Sequence, residues 1–385
     1  MGPVEIIEGN INAFKCKYIY LDKLFNGKLD EKKGKCKTVD TVNIYISLES
    51  LFNSIRGSHI EKRLEKMDKK ESKFVYRQII SNIINVAAHY RKYFTRHKVK
   101  TNIIYYFNEI MDEYENYNNS ALYANYREHY YNSLHSLDRI NINNMVQEAI
   151  PFLNIITEYI PDIYMISTKH LESSMIPFVC MMEGYLPSNM NIIVSKDEYD
   201  LQYCIYNSLV ITRYANEPLL LTKRNVMKYL CFRKNYKPER LIHPKLLTFI
   251  LACIGNRKRG IYSIRRSGFK TIYRQLLSLY DAGYIIDDDE ETMKIGSLMH
   301  VLNRSSTSLF STEELATMII SQYQVTDFES QFRAMNNTQK KEIEKQIKNK
   351  TDPSALIEIN ERYFEDCPLE LVELNQYSKN RDSDF

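Results

Sequence analysis

Two aspartates border apolar runs in a pattern that could do chemistry. Asp40 stands in Val39-Asp40-Thr41-Val42-Asn43-Ile44-Tyr45-Ile46, which reads as a short buried strand with one carboxylate at its start. Asp197 closes a second such run, Asn191-Ile192-Ile193-Val194-Ser195-Lys196-Asp197. Ligands of an open α/β sheet sit outside the carboxyl ends of its strands. Two acids carried by strands of one sheet can therefore share a cleft, and a hard dication such as Mg²⁺ prefers oxygen ligands of this kind. A lone Asp beside a strand is also an ordinary turn residue or helix cap. The metal reading thus needs more acids to join these two.

The elements that would position them alternate. Strands are expected at 38–46, 101–107, 163–166, 191–195 and 208–212, and helices at about 47–56, 73–95, 143–160, 169–183 and 198–205. Pro177 marks a kink or early end of the helix over 169–183. This alternation predicts an α/β fold with a largely parallel sheet covered on both faces. The division expected is a leader over 1–35, a sheet domain over 36–222, a basic helical module over 223–285 and a helical extension with a polar tail over 286–385. Segment 112–136 is polar and rich in tyrosine and reads as a long helix or arch.

Charge is unevenly spread along the 385 residues. From Lys223 to Arg274 fifteen Lys and Arg stand against one acid, Glu239, so this segment carries +14. The whole chain is +4, which leaves −10 for the rest. An almost acid-free block of this length is the electrostatic footprint of a polyanion. Inside it, Gly255 to Gly268 is a glycine-punctuated loop with Arg257, Lys258, Arg259, Arg265 and Arg266. It runs into a helix expected at 269–282, whose free N–H groups favour a phosphate. The bland alternative is a loop joining two core helices.

No apolar run approaches the length that crosses a bilayer, and the N-terminus lacks the pattern of a signal peptide. An intracellular protein without membrane attachment is expected. The seven cysteines are scattered and never form a Cys-x-x-Cys pair, so they read as reduced thiols without zinc-finger spacing. Thirty tyrosines, no tryptophan and abundant Asn, Ile and Lys match an AT-rich coding sequence.

Several short blocks, spread over about residues 1–275, resemble the flap endonucleases (the XPG/FEN-like 5′ nucleases), most nearly their poxvirus branch. The chain begins Met1-Gly2. Val39 to Tyr45 resembles the first-strand block, and Val75-Tyr76-Arg77-Gln78-Ile79 resembles a Phe-Tyr-Arg-Thr-Ile helix. Ile104-Tyr105-Tyr106-Phe107-Asn108 sits where the family has a strand ending Phe-Asp, and Lys169-His170-Leu171-Glu172 where it has Glu-Ala-Glu-Ala. Asp197-Glu198-Tyr199 sits at Asp-x-Asp. Ile254-Gly255-Asn256-Arg257 resembles the Leu-Gly-Ser-Asp that opens the DNA-binding hairpin, and Gly268-Phe269-Lys270 its Gly-Pro-Lys.

The resemblance implies a PIN/FEN-like sheet followed by a basic helical-hairpin DNA-binding module. It implies flap, branched or 5′-ended DNA as partner, alongside other replication, recombination or repair proteins. For a poxvirus-like chain it implies the host cytoplasm. It also implies a two-metal phosphodiesterase, in which Mg²⁺ or Mn²⁺ ions clamp the scissile phosphate. Of seven expected acids, Asp40, Glu172 and Asp197 are present as catalytic candidates, while Asn108, His170, Tyr199 and Arg257 occupy the other four positions. The metal set implied is Asp40, Asn108, His170, Glu172, Asp197 and the nearby Asp200, with Asp112 as a further acid in reach. The nucleic-acid set is Gly2, Arg77, Arg127, Arg257, Lys258, Arg259, Arg265, Arg266, Gly268, Lys270 and Arg274. Tyr117, Tyr123, Tyr126, Tyr130 and Tyr131 offer stacking faces on the arch.

Losing carboxylates and adding Arg257 both oppose dication binding, so weakened or absent cleavage is expected. An active nuclease with an altered site and a structural protein without DNA stay open. The geometric expectation is that Asp40, Asn108, Glu172 and Asp197 converge at the carboxyl edge of one sheet. Opposite edges for Asp40 and Asp197, or different domains, would make the family assignment wrong.

Overall fold

The computed structural model describes residues 39–48, 50–51, 86–87, 89–108, 162–168, 171–214, 217–256, 261, 263, 268–281 and 312–348. Six strands form one sheet: β1 (Thr41–Ser47), β2 (Lys100–Asn108), β3 (Ile163–Thr168), β4 (Met190–Val194), β5 (Leu209–Tyr214) and β6 (Glu217–Leu221). Their order is β3-β2-β1-β4-β5-β6. The first five are parallel, and β6 returns antiparallel to β5. This is the expected α/β architecture, with one strand more than the sequence reading. Pro218 hides β6 from a strand reading because proline cannot donate to a ladder; at the outer edge of a sheet it is tolerated.

Near-continuous apolar runs make β1, β2 and β4 central strands buried on both faces. One face carries Tyr45, Ile104, Tyr106, Ile166, Ile193 and Val210 into the main core. There it meets α1 (Ile176–Glu183), α2 (Val226–Arg233), α3 (Leu247–Ile254) and α4 (Phe269–Asp281). The helices α5 (Thr312–Thr326), α6 (Phe328–Ala334) and α7 (Asn337–Lys348) join the same core through Ile319, Phe328 and Ile343. The opposite face buries Ile44, Ile103 and Tyr105, with Ala87, Tyr90 and Phe94 buried in the helical stretch that precedes β2.

Pro177 does not kink a helix. Within the helix expected over 169–183, the described residues form a 3-10 turn, Ser173–Met175, followed by α1, and Pro177 falls in the first turn of α1. A missing N–H costs nothing there, because first-turn donors have no intrahelical acceptor. At the other end Gly184 takes φ 67° as a left-handed cap.

The outer edge of β3 is met by a side chain. Gln346 on α7 accepts from the Ser167 N–H at 2.8 Å and donates to the Ser167 carbonyl at 2.9 Å. Gln322 and Phe328 are buried.

Candidate functional site

The strand order turns at β1 and β4. β2 and β3 lie on one side of this pair and β5 on the other. A crevice for ligands is expected at the carboxyl ends of such a pair. Here it is built from hydroxyls. Ser47, the last residue of β1, accepts from the Ser50 N–H at 3.2 Å and so caps the helix that follows. Ser50 Oγ lies 3.2 Å from Ser195 Oγ. The Lys196 N–H donates to Ser50 Oγ at 3.0 Å, and the Asp197 N–H donates to Ser195 Oγ at 3.1 Å. The hydroxyl pair thereby ties the ends of β1 and β4 together. Only a serine directly after an apolar strand foreshadows this in the sequence.

Asp40 is not in this crevice. It precedes β1, is exposed, and lies at the amino edge, where its carbonyl accepts from the Lys100 N–H and its N–H donates to Asn189 Oδ1 at 3.1 Å. Asp197 lies beyond the carboxyl end of β4. The two aspartates occupy opposite edges, so Asp40 cannot share a metal with Asp197, and the residue-by-residue family assignment fails its geometric test. The physical reason is the strand's placement. Thr41 to Ser47 are the residues that can be buried, so the ladder begins after Asp40 and leaves that carboxylate in solvent.

Asn108 and Glu172 do come together. Asn108 ends β2, donates its amide to the Leu171 carbonyl at 2.6 Å and accepts from the Ser173 N–H at 2.9 Å. Both ends of the amide are thus engaged by the backbone on either side of Glu172. This clamp fixes Glu172, fully buried, at the start of the 3-10 turn. An aspartate could not donate to Leu171, which gives asparagine a structural reason here.

Asp197 acts as an N-cap. Its Oδ1 accepts from the Tyr199 N–H at 3.0 Å and opens the 3-10 helix Glu198–Cys204. Asp200, on that helix, is 2% exposed and accepts at Oδ2 from the Tyr106 hydroxyl at 3.2 Å. Burial first, then the Asp200 charge, pushes the Tyr106 pKa far above its usual value, which keeps the phenol a donor. Tyr199 is buried in the core. Among the described residues no three His, Cys, Asp or Glu side chains form a group able to hold a metal. The described donors therefore do not fit a two-metal site.

Beside Asp197 lies a pocket of about 220 Å³ between the end of β4, β5 and α2. Lys196, Arg213 and Arg233 line it with Asp197 and Glu198. Glu198 is held by Lys234 at 2.7 Å. Partial burial, then the Arg213 charge, lowers the Lys196 pKa from its ordinary value.

Of the nucleic-acid candidates, Gly268 precedes α4, and Lys270 and Arg274 are exposed one turn apart on that helix. In the loop before it, Asn256 and Ile261 bridge through backbone hydrogen bonds of 2.8 and 3.1 Å. Gly2, Arg77, Arg127, His170, Arg257, Lys258, Arg259, Arg265 and Arg266 lie outside the described residues, as do Asp112 and the arch tyrosines.

No protein-family model matches the chain, and no curated protein is similar to it in sequence. Solved structures are similar. The T5 D15 protein co-crystallized with metal ions superposes with a TM-score of 0.50 at 8% identity, over 81% of this chain and all of that one. The chain has a PIN/FEN-like fold. A bacteriophage T5 D15 flap endonuclease, in a pseudo-enzyme–product complex with DNA and metal ions, gives a TM-score of 0.49 at 10% identity, over 79% of this chain and 97% of that one. The likeness lies in the fold, not in the sequence. Among the described residues no helix is long and apolar enough to cross a membrane.

Proposed function

We propose that this chain is a DNA-holding protein on a FEN-like scaffold, with two-metal cleavage weakened or lost. The observation that carries the reading is the dispersal of the acids. Asp40 is at the amino edge, the Asn108 amide serves the backbone, and Asp200 is tied to Tyr106. A Mg²⁺ site needs several oxygen ligands around one point. The +14 segment supports a polyanion partner, and by the family resemblance that partner is branched or 5′-ended DNA in viral replication, recombination or repair. Lys270 and Arg274 would contact phosphates without reading bases.

A second reading is an active Mg²⁺- or Mn²⁺-dependent nuclease with an altered site. Glu172 and Asp197 favour it, since both lie beyond the carboxyl ends of strands. Labelled flap DNA tests both readings. Salt-dependent binding with little cleavage in either metal is the expected result. Robust turnover abolished by Asp197→Ala would promote the nuclease.

A further inference from the structure

The pocket beside Asp197 has a charge pattern that the hydroxyl crevice lacks. Three cations reach it from three elements: Lys196 from the end of β4, Arg213 from β5, and Arg233 from the last turn of α2. Its two acids have other engagements. Glu198 is bound by Lys234 at 2.7 Å, and Asp197 accepts from the Tyr199 N–H. Among the described residues neither Lys196 nor Arg213 forms an ion pair with a carboxylate. Thr212 and Tyr229 add hydroxyl-bearing side chains to the lining. Guanidinium groups present planar arrays of donors that match phosphate oxygens, and an ammonium adds a point charge. The pocket is small, and it opens at the edge of the sheet where α/β folds receive ligands.

We infer that this pocket binds one phosphate group, with Lys196, Arg213 and Arg233 as its cations. The phosphate is either inorganic or part of a nucleic acid. The nucleic-acid source rests on the proposed function; the pocket itself does not. Lys196 and Arg213 repel one another, and a bound anion offsets that repulsion. Binding should therefore stabilise the fold by mass action.

The experiment compares the full chain with Lys196→Ala/Arg213→Ala. Both side chains belong to exposed residues, and circular dichroism checks that the variant folds. The thermal midpoint is measured with inorganic phosphate against chloride at equal ionic strength, which removes general screening. Affinity for a flap DNA is measured in parallel. Phosphate should raise the midpoint of the native chain, and the double variant should lose that gain, with phosphate affinity at least about tenfold lower. If DNA supplies the phosphate, its affinity falls by a similar factor. No phosphate effect on the native chain, or an equal effect on the variant, overturns the pocket whatever DNA does. A phosphate effect that the variant loses, in a chain that binds no DNA, supports the pocket and defeats the proposed function.

Discussion

Tyr106 on β2 donates its hydroxyl to Asp200 Oδ2 at 3.2 Å, although β1 lies between β2 and β4 in the sheet. The register partner of Tyr106 on β1 is Ser47, a short side chain. The phenol supplies one hydrogen bond to a buried carboxylate, and losing it carries a cost. Tyr106→Phe should cost about 1–3 kcal/mol of unfolding free energy. In a double-mutant cycle with Asp200→Asn, urea titrations should give a coupling of at least about 0.5 kcal/mol. Simple additivity would show that the bond carries no energy.

Asn108→Asp, the change that restores a family acid, should harm the protein before it helps any metal. The new carboxylate would face the Leu171 carbonyl, which now accepts from the Asn108 amide at 2.6 Å. Repulsion and an orphaned acceptor predict a loss of about 1–3 kcal/mol. A variant as stable as the parent that also gains Mg²⁺ affinity would contradict this account.

Asp197 separates a cap from a ligand. As a cap it should lose about 1 kcal/mol on replacement by Ala and little on replacement by Ser, since a hydroxyl also accepts from the Tyr199 N–H. A metal ligand would not tolerate Ser in this way. Thermal unfolding with and without Mg²⁺ distinguishes the two, and a large Mg²⁺ effect that both variants abolish would restore the ligand role.

Alkaline pH should unfold the chain through its thiols. Burial raises Cys180 from 9.0 to about 12 and Cys231 from 9.0 to about 11. Cys204 and Cys253 are pushed up further. A raised folded value means the unfolded chain releases its protons first. The stabilising contribution is complete below about pH 9 and falls as pH climbs toward the folded values. Denaturation midpoints should be level from about pH 7 to 8.5 and drop steeply above about pH 9.5. They should drop less in a Cys180→Ala/Cys204→Ala variant, although that variant starts from lower stability.

Much of the fold was legible because β1, β2 and β4 are short, apolar and bounded by turn residues. Each was placed within about three residues by pattern alone. Pro218 hides β6, and α1 starts at Ile176, later than the apolar pattern over 169–183 suggests, with Pro177 in its first turn. The site was less legible. The block around Asp40 looks like a strand that delivers an acid, yet which end of the strand carries the acid depends on a shift of a few residues. Only burial and ladder register decide that shift. The hydroxyls of Ser47, Ser50 and Ser195 meet across long sequence separations, which no local spacing reveals. Asp200 lies three residues beyond Asp197, close enough to stand in for a lost acid on paper, but its helix turns it toward Tyr106 and the core.

The grip of Gln346 on Ser167 bears on how this protein behaves at high concentration. An open sheet offers a template at each border, where another chain can add a strand and begin a fibre. At the β6 border Pro218 removes one donor. At the β3 border the Gln346 amide occupies the N–H and carbonyl of Ser167, as a neighbouring strand would. Cutting the chain ahead of α7 would strip that cover from the N–H and carbonyl of Ser167. Such a truncation should leave a folded sheet that polymerises, visible as thioflavin-positive aggregate, while Gln346→Ala in the full chain should do so more slowly.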